Sequence, residues 1–229
     1  MIGALFLAGF LIYGTGSILV NSVVDSPDFL AGVGAQQTTL ALGAFLMIAT
    51  AAVDIGKAVL FFPVLERHGK RTAVAYLATM VFEMAMMTAG VLALLMIIPL
   101  ADQAEAGEQS LASAQALGSL AVDANETAYQ IGQLSLAFGC LFLCALLIRS
   151  GLIPRWLAVW GLIGYALHMA GAAAEIFGAP LSLVLLIPGG IFEVTLAVWL
   201  LVKGFTPAAY DGVPVTGAPV ARPAPPAAR

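Results

Sequence analysis

Long apolar runs separated by short polar breaks make up most of the chain, and six of them reach membrane-spanning length. They cover residues 2–24, 38–62, 72–100, 126–148, 156–177 and 181–202. An α-helix needs about 20 residues to cross a hydrocarbon core roughly 30 Å thick. Inside lipid the backbone has to satisfy its own hydrogen bonds, which makes helices the expected form. The pattern predicts an all-α integral membrane bundle of six transmembrane helices, forming one domain over residues 1–205. The 101–125 stretch is acidic and rich in Ala, Ser and Gln, and reads as an outer loop with room for a short surface helix. From Thr206 the composition turns to Pro, Ala, Gly and Val. Such a segment buries too little to repay its ordering entropy, so residues 206–229 are expected to be a disordered tail.

Charge gives the bundle a direction. Lys57, Arg67, Lys70 and Arg71 lie at or near the second break, Arg149 and Arg155 bracket the fourth, and Lys203, Arg222 and Arg229 follow the last run. The opposite breaks hold Asp25, Asp28, Asp102, Glu105, Glu108 and Asp123, without Lys or Arg. The positive-inside rule then puts both termini in the cytoplasm. The first run lacks a basic leader and a small-residue cleavage site, so it reads as a retained helix. The chain is 61% hydrophobic and 10% charged, with net charge −4, and its basic residues are those orientation requires. Nucleic acid is therefore not an expected partner; the bilayer is, together with a small-molecule ligand or a protein docking on the C-terminal tail.

Charge at membrane depth is costly and marks functional candidates. Glu83 and Glu193 fall near mid-depth of the third and sixth runs. His168 lies midway along the fifth, with Glu175 two helical turns further on the same face. Gln130 and Gln133 belong to a stripe Glu126, Gln130, Gln133, Ala137, Cys140 and Cys144, which repeats at helical spacing and must turn inward. Gly161, Gly164, His168, Gly171 and Glu175 make a similar stripe of small and ionisable residues on the fifth run. Glu83, Glu193, His168, Glu175, Gln130 and Gln133 are thus the predicted ligand- or proton-binding residues. Asp54 and Lys57, three apart, read as a self-neutralised couple, with Lys57 reaching toward the cytoplasm. Pro188-Gly189-Gly190 predicts an interruption of the sixth helix beside Glu193, as in transporters built on broken helices. Phe82-Glu83 and Phe192-Glu193 recur three spans apart, as an inverted three-plus-three repeat would have it, and the two carboxylates would then face each other and share a proton. No metal site or cofactor is expected, because the chain has only His68 and His168. Cys140 and Cys144 read as small buried thiols.

Several stretches carry a resemblance. They are Phe62-Pro63-Val64-Leu65 leading to His68, Phe82-Glu83, Arg149-Ser150-Gly151-Leu152-Ile153-Pro154-Arg155-Trp156-Leu157, and Phe192-Glu193-Val194 with Ala197-Val198-Trp199-Leu200 and Lys203-Gly204-Phe205. Together they resemble a bacterial family of six-span membrane proteins defined as domain of unknown function 4386. The resemblance extends to Phe205 and implies the fold and a bacterial inner membrane, but no activity. Where family members often carry an Arg three residues before the Glu of the third span, this chain has Met80. The function expected from these features is binding or proton-linked transport of a small, lipophilic solute at a midplane carboxylate site. A non-catalytic accessory, sensor or assembly protein is the second class. An intramembrane enzyme is the third, and no catalytic residue can be named for it.

Overall fold

The computed structural model describes residues 1–26 and 28–207 of the chain. The predicted tail falls outside the described residues from position 208 onward. The described residues form α1 (Ile2–Val24), α2 (Leu30–Leu95), α3 (Ile97–Glu105), α4 (Leu111–Ser150), α5 (Arg155–Ile176) and α6 (Ser182–Val202). Among the described residues five helical stretches are long and apolar enough to cross a membrane.

The second and third apolar runs share the 66-residue α2, which is non-helical only at Gly69 (φ −178°, ψ 82°). If α2 were straight, Asp54 and Glu83 would lie about 40 Å apart. Instead both line one cavity, and the Phe61 and Tyr76 rings meet edge to face at 6.1 Å. The chain therefore doubles back at Gly69, and α2 is two antiparallel arms. The first arm packs on α1, where Gly16 and Gly43 meet so closely that a Cβ on Gly16 would lie 2.7 Å from the Gly43 carbonyl oxygen. The second packs on α4, which is followed around the bundle by α5 and α6, and α6 returns to α1. The result is a closed ring of helices.

Residues 101–125 are more regular than the expected loop. α3 and the first turns of α4 occupy most of this stretch, and Ser110 caps α4 by accepting a hydrogen bond from the Ser113 N–H (3.2 Å). Helix also begins at Leu30, before the predicted start of the second run. The cause is burial: Leu30, Val33, Leu94, Ile97, Ala101 and Ala114 form an apolar core at this end, so the segments pack on one another. A hydropathy window cannot detect such partners. The interruption predicted at Pro188 is likewise absent, since α6 runs unbroken through it. Gly189 beside Pro188 serves packing: a Cβ on Gly164 of α5 would lie 2.9 Å from Gly189 Cα.

The outer surface is apolar, with Leu11, Ile18, Phe45 and Leu183 each more than 60% exposed. Buried polar side chains include Lys57, Glu83, Gln133 and His168. This inside-polar, outside-apolar arrangement suits a protein whose solvent is lipid.

The turn that carried the resemblance ties three elements together. Gly151 ends α4 in the left-handed region (φ 66°), and its N–H donates to Leu147 O. Leu152 and Ile153 are fully buried, and Pro154 is the residue that precedes the first turn of α5. Thr206 returns beyond α6 to donate from its hydroxyl to Gly151 O (2.8 Å) and from its N–H to Leu152 O (3.0 Å). Phe205 stacks on Phe61 (5.5 Å between centroids). Gly151→Ala should lower stability by about 1–2 kcal/mol, the cost of a left-handed non-glycine residue; detergent-micelle unfolding of the two proteins measures it.

Candidate functional site

A cavity of about 250 Å³ opens between the helices. Apolar clusters close the bundle on either side of it, one around Phe61, Leu147 and Leu157 and the other around Leu30, Leu40 and Leu94. α1 contributes Phe6, Phe10 and Tyr13; the first arm of α2, Thr50, Asp54 and Lys57; the second arm, Met80, Glu83 and Met87. α4 contributes Tyr129 and Gln133, α5 His168, and α6 Gly190 and Glu193. Each helix turns its rare polar residues inward because only there can they meet polar partners.

Glu83 and Glu193, from the second arm of α2 and from α6, line the same space, as do His168 and Gln133. The Gln133 amide donates from Nε2 to Glu83 Oε1 (3.3 Å), and the Tyr165 hydroxyl donates to Glu193 Oε1 (2.5 Å). Tyr165 also stacks on His168, with ring centroids 6.2 Å apart. Two buried polar atoms of the cavity wall, Glu83 Oε2 and His168 Nε2, have no hydrogen-bond partner among the described residues.

Gln130 and Glu175 lie apart from this cavity. The Ser182 hydroxyl donates to Gln130 Oε1 and the Ser182 N–H to Glu175 Oε2, both at 3.0 Å. Glu175 thus meets one of the unpaired N–H groups at the start of α6, where the helix dipole also favours a negative charge. The shared face of α5 read from the sequence exists, but its outer end serves the turn into α6.

Asp54 and Lys57 form the couple expected from their spacing, but Lys57 departs from the sequence reading in its direction. Lys57 Nζ is 2.7 Å from Asp54 Oδ1, and their side chains are 14% and 7% exposed for Asp54 and Lys57 respectively. The ammonium lies 4.3 Å from the centroid of the Phe6 ring. Lys57 therefore points into the bundle and does not reach for the cytoplasmic surface. Its position contained the signal: about 18 Å of helix separate it from the turn at Gly69, more than a lysine side chain can span. Tyr13, Tyr129 and Tyr165 were also missed. Tyr13 and Tyr129 line the cavity and Tyr165 stands behind Glu193; all three are tyrosines within apolar runs, and nothing in their spacing distinguishes these places from ordinary packing. Tyr13 and Tyr129 stack across the bundle at 5.9 Å, joining α1 to α4.

Membrane-spanning helices ringed about a largely apolar cavity with a few polar and ionisable side chains define a polytopic helical membrane protein with an internal cavity. The chain belongs to the family described as Domain of unknown function (DUF4386), whose model matches residues 1–204. No curated protein and no solved structure matches the chain.

Proposed function

We propose that this protein binds a small solute in the central cavity and moves it across a bacterial cytoplasmic membrane with protons. On this reading each arm of α2 crosses the bilayer separately, making six spans with both termini in the cytoplasm. Support for the orientation comes from the end of the bundle where the Gly69 turn, the 151–154 turn and Phe205 converge. Arg67, Lys70, Arg71, Arg149, Arg155 and Lys203 flank these turns. The three tryptophans of the chain, Trp156, Trp160 and Trp199, cluster beside them, as at a membrane interface.

The observation that carries the solute-binding reading is the pair of unpartnered buried atoms in the cavity wall, Glu83 Oε2 and His168 Nε2. A buried polar group without a partner costs free energy, and a ligand that supplies the partner recovers it. Protons enter because Asp54, Glu83 and Glu193 share the cavity with one lysine, so charge balance there changes as a solute arrives or leaves.

The test is a thermal-shift panel of amines, alcohols, carboxylic acids and lipids on the purified full-length protein, followed by vesicles containing a pH-sensitive dye. We expect at least one solute to raise the melting temperature, to lose that effect in Glu83→Gln, and to drive a proton flux that the variant lacks. A ligand bound at 100 times its Kd would contribute about 2.7 kcal/mol to the native state. No solute shifting the wild type, with Glu83→Gln and Glu193→Gln melting as it does, would make these carboxylates packing groups and overturn the reading.

A further inference from the structure

We propose that the cavity is selective for a small lipophilic organic cation, of the class of protonated aryl-alkyl amines, with Glu83 receiving the ammonium group. This rests on the solute-binding reading above and narrows it to a ligand class.

The charges of the cavity are unequally matched. Asp54 already has its cation, Lys57 at 2.7 Å, and that ammonium is covered on one side by the Phe6 ring. Among the described residues the hydrogen-bond donors to Glu83 and Glu193 are neutral, the Gln133 amide and the Tyr165 hydroxyl. Glu83 is 3% exposed and its Oε2 is unpartnered; His168, also 3% exposed, has an unpartnered Nε2. A ligand ammonium would give Glu83 both a counter-charge and a charge-assisted hydrogen bond. Neutral His168 can accept a further N–H through Nε2 when its other ring nitrogen carries the proton. An anionic solute would meet three carboxylates. A neutral solute could bond only the protonated carboxyl, whereas an ammonium is the ligand that lets Glu83 hold its charge in a low-dielectric site.

The walls point the same way. Tyr13 and Tyr129 present stacked rings, and Phe6 already holds an ammonium against its face. Aromatic faces attract cations, and do so more strongly when water is excluded. Among the described residues no three His, Cys, Asp or Glu side chains converge to hold a metal ion, so the negative charge is spread along the walls. That distribution fits an extended organic cation better than a bare ion. Pockets for drug-sized ligands are typically about 300–1,000 Å³, so a cavity of about 250 Å³ implies a ligand at or below the small end.

The experiment compares three probes of one shape on the full-length protein in detergent: phenethylammonium, 2-phenylethanol and hydrocinnamate. Binding is measured by titration calorimetry at pH 7 and fixed ionic strength, with protein-free micelles subtracted. Phenethylammonium should bind at least about tenfold more tightly than the other two. In Glu83→Gln its affinity should fall to that of the alcohol. Equal or tighter binding of the alcohol or the acid would overturn the cation assignment, as would stabilisation by sodium or potassium chloride that matches the amine. If Glu83→Gln does not fold, the ranking of the three probes on the wild type decides alone. A Glu83-dependent neutral or anionic ligand from the wider panel would leave the solute site standing and remove only the cation. A panel without any Glu83-dependent ligand would remove both.

Discussion

Lys57→Met should cost the folded bundle about 3–5 kcal/mol, the largest loss expected of any single substitution in the cavity. The ammonium sits 2.7 Å from Asp54 with both side chains largely out of solvent, so its removal leaves a buried carboxylate without its cation. The loss also strips the Phe6 face of its charge contact. Truncating one partner of a buried pair is far more damaging than replacing both, so Asp54→Leu combined with Lys57→Met should recover most of the stability. Unfolding in micelles by increasing fractions of an anionic detergent, applied to the single and double variants, measures the coupling. A loss below about 1 kcal/mol for Lys57→Met would be the behaviour of a solvated pair. In that case Lys57 would reach the interface after all, and the cavity would lose its internal cation.

The second large effect is expected at the crossing of α5 and α6. Gly164→Val should destabilise the protein by about 3 kcal/mol or more, at the upper end for overpacking. A Cβ at position 164 would lie 2.9 Å from Gly189 Cα and 3.0 Å from its nitrogen, so it would meet backbone that cannot rotate away. Helix association in lipid depends on close packing and small residues, because apolar side chains gain little by leaving lipid for protein. Separating α5 from α6 would also displace His168 and Glu193, which line the cavity from these two helices. Gly56 provides the contrast. A Cβ there meets nothing within 4 Å, so Gly56→Ala should be neutral or should stabilise by up to about 1 kcal/mol through helix propensity. If both variants melt alike, the glycine contact is not what holds the two helices together.

The parts of the molecule legible in advance are those set by local composition. Apolar runs long enough to cross a bilayer became helices, and the stripe Gly161, Gly164, His168 and Gly171 became the buried face of α5. Glu83, Glu193, His168 and Gln133 could be singled out because an ionisable or amide group inside an apolar run is conspicuous whatever the fold. Gln130 and Glu175 were conspicuous for the same reason, and their hydrogen bonds come from Ser182 at the start of α6, away from the cavity. Composition reports that a polar group needs a partner; it does not say which partner it finds.

Hydropathy and charge by themselves determined that this is an all-helical protein with membrane-spanning segments, and which of its side chains are too polar to face lipid. Both properties are local sums along the chain, and lipid imposes them on each segment independently. Only the tertiary structure decided that helix fills the second break up to a reversal at Gly69 and that Lys57 turns inward to Asp54 and Phe6. It also decided that Tyr165 donates to Glu193, and that Glu83 and His168 line one cavity with an unpartnered atom each. These contacts join residues on different helices or select one side-chain direction among several. They are fixed by how the helices rotate and pack against one another, which no property of a single segment contains.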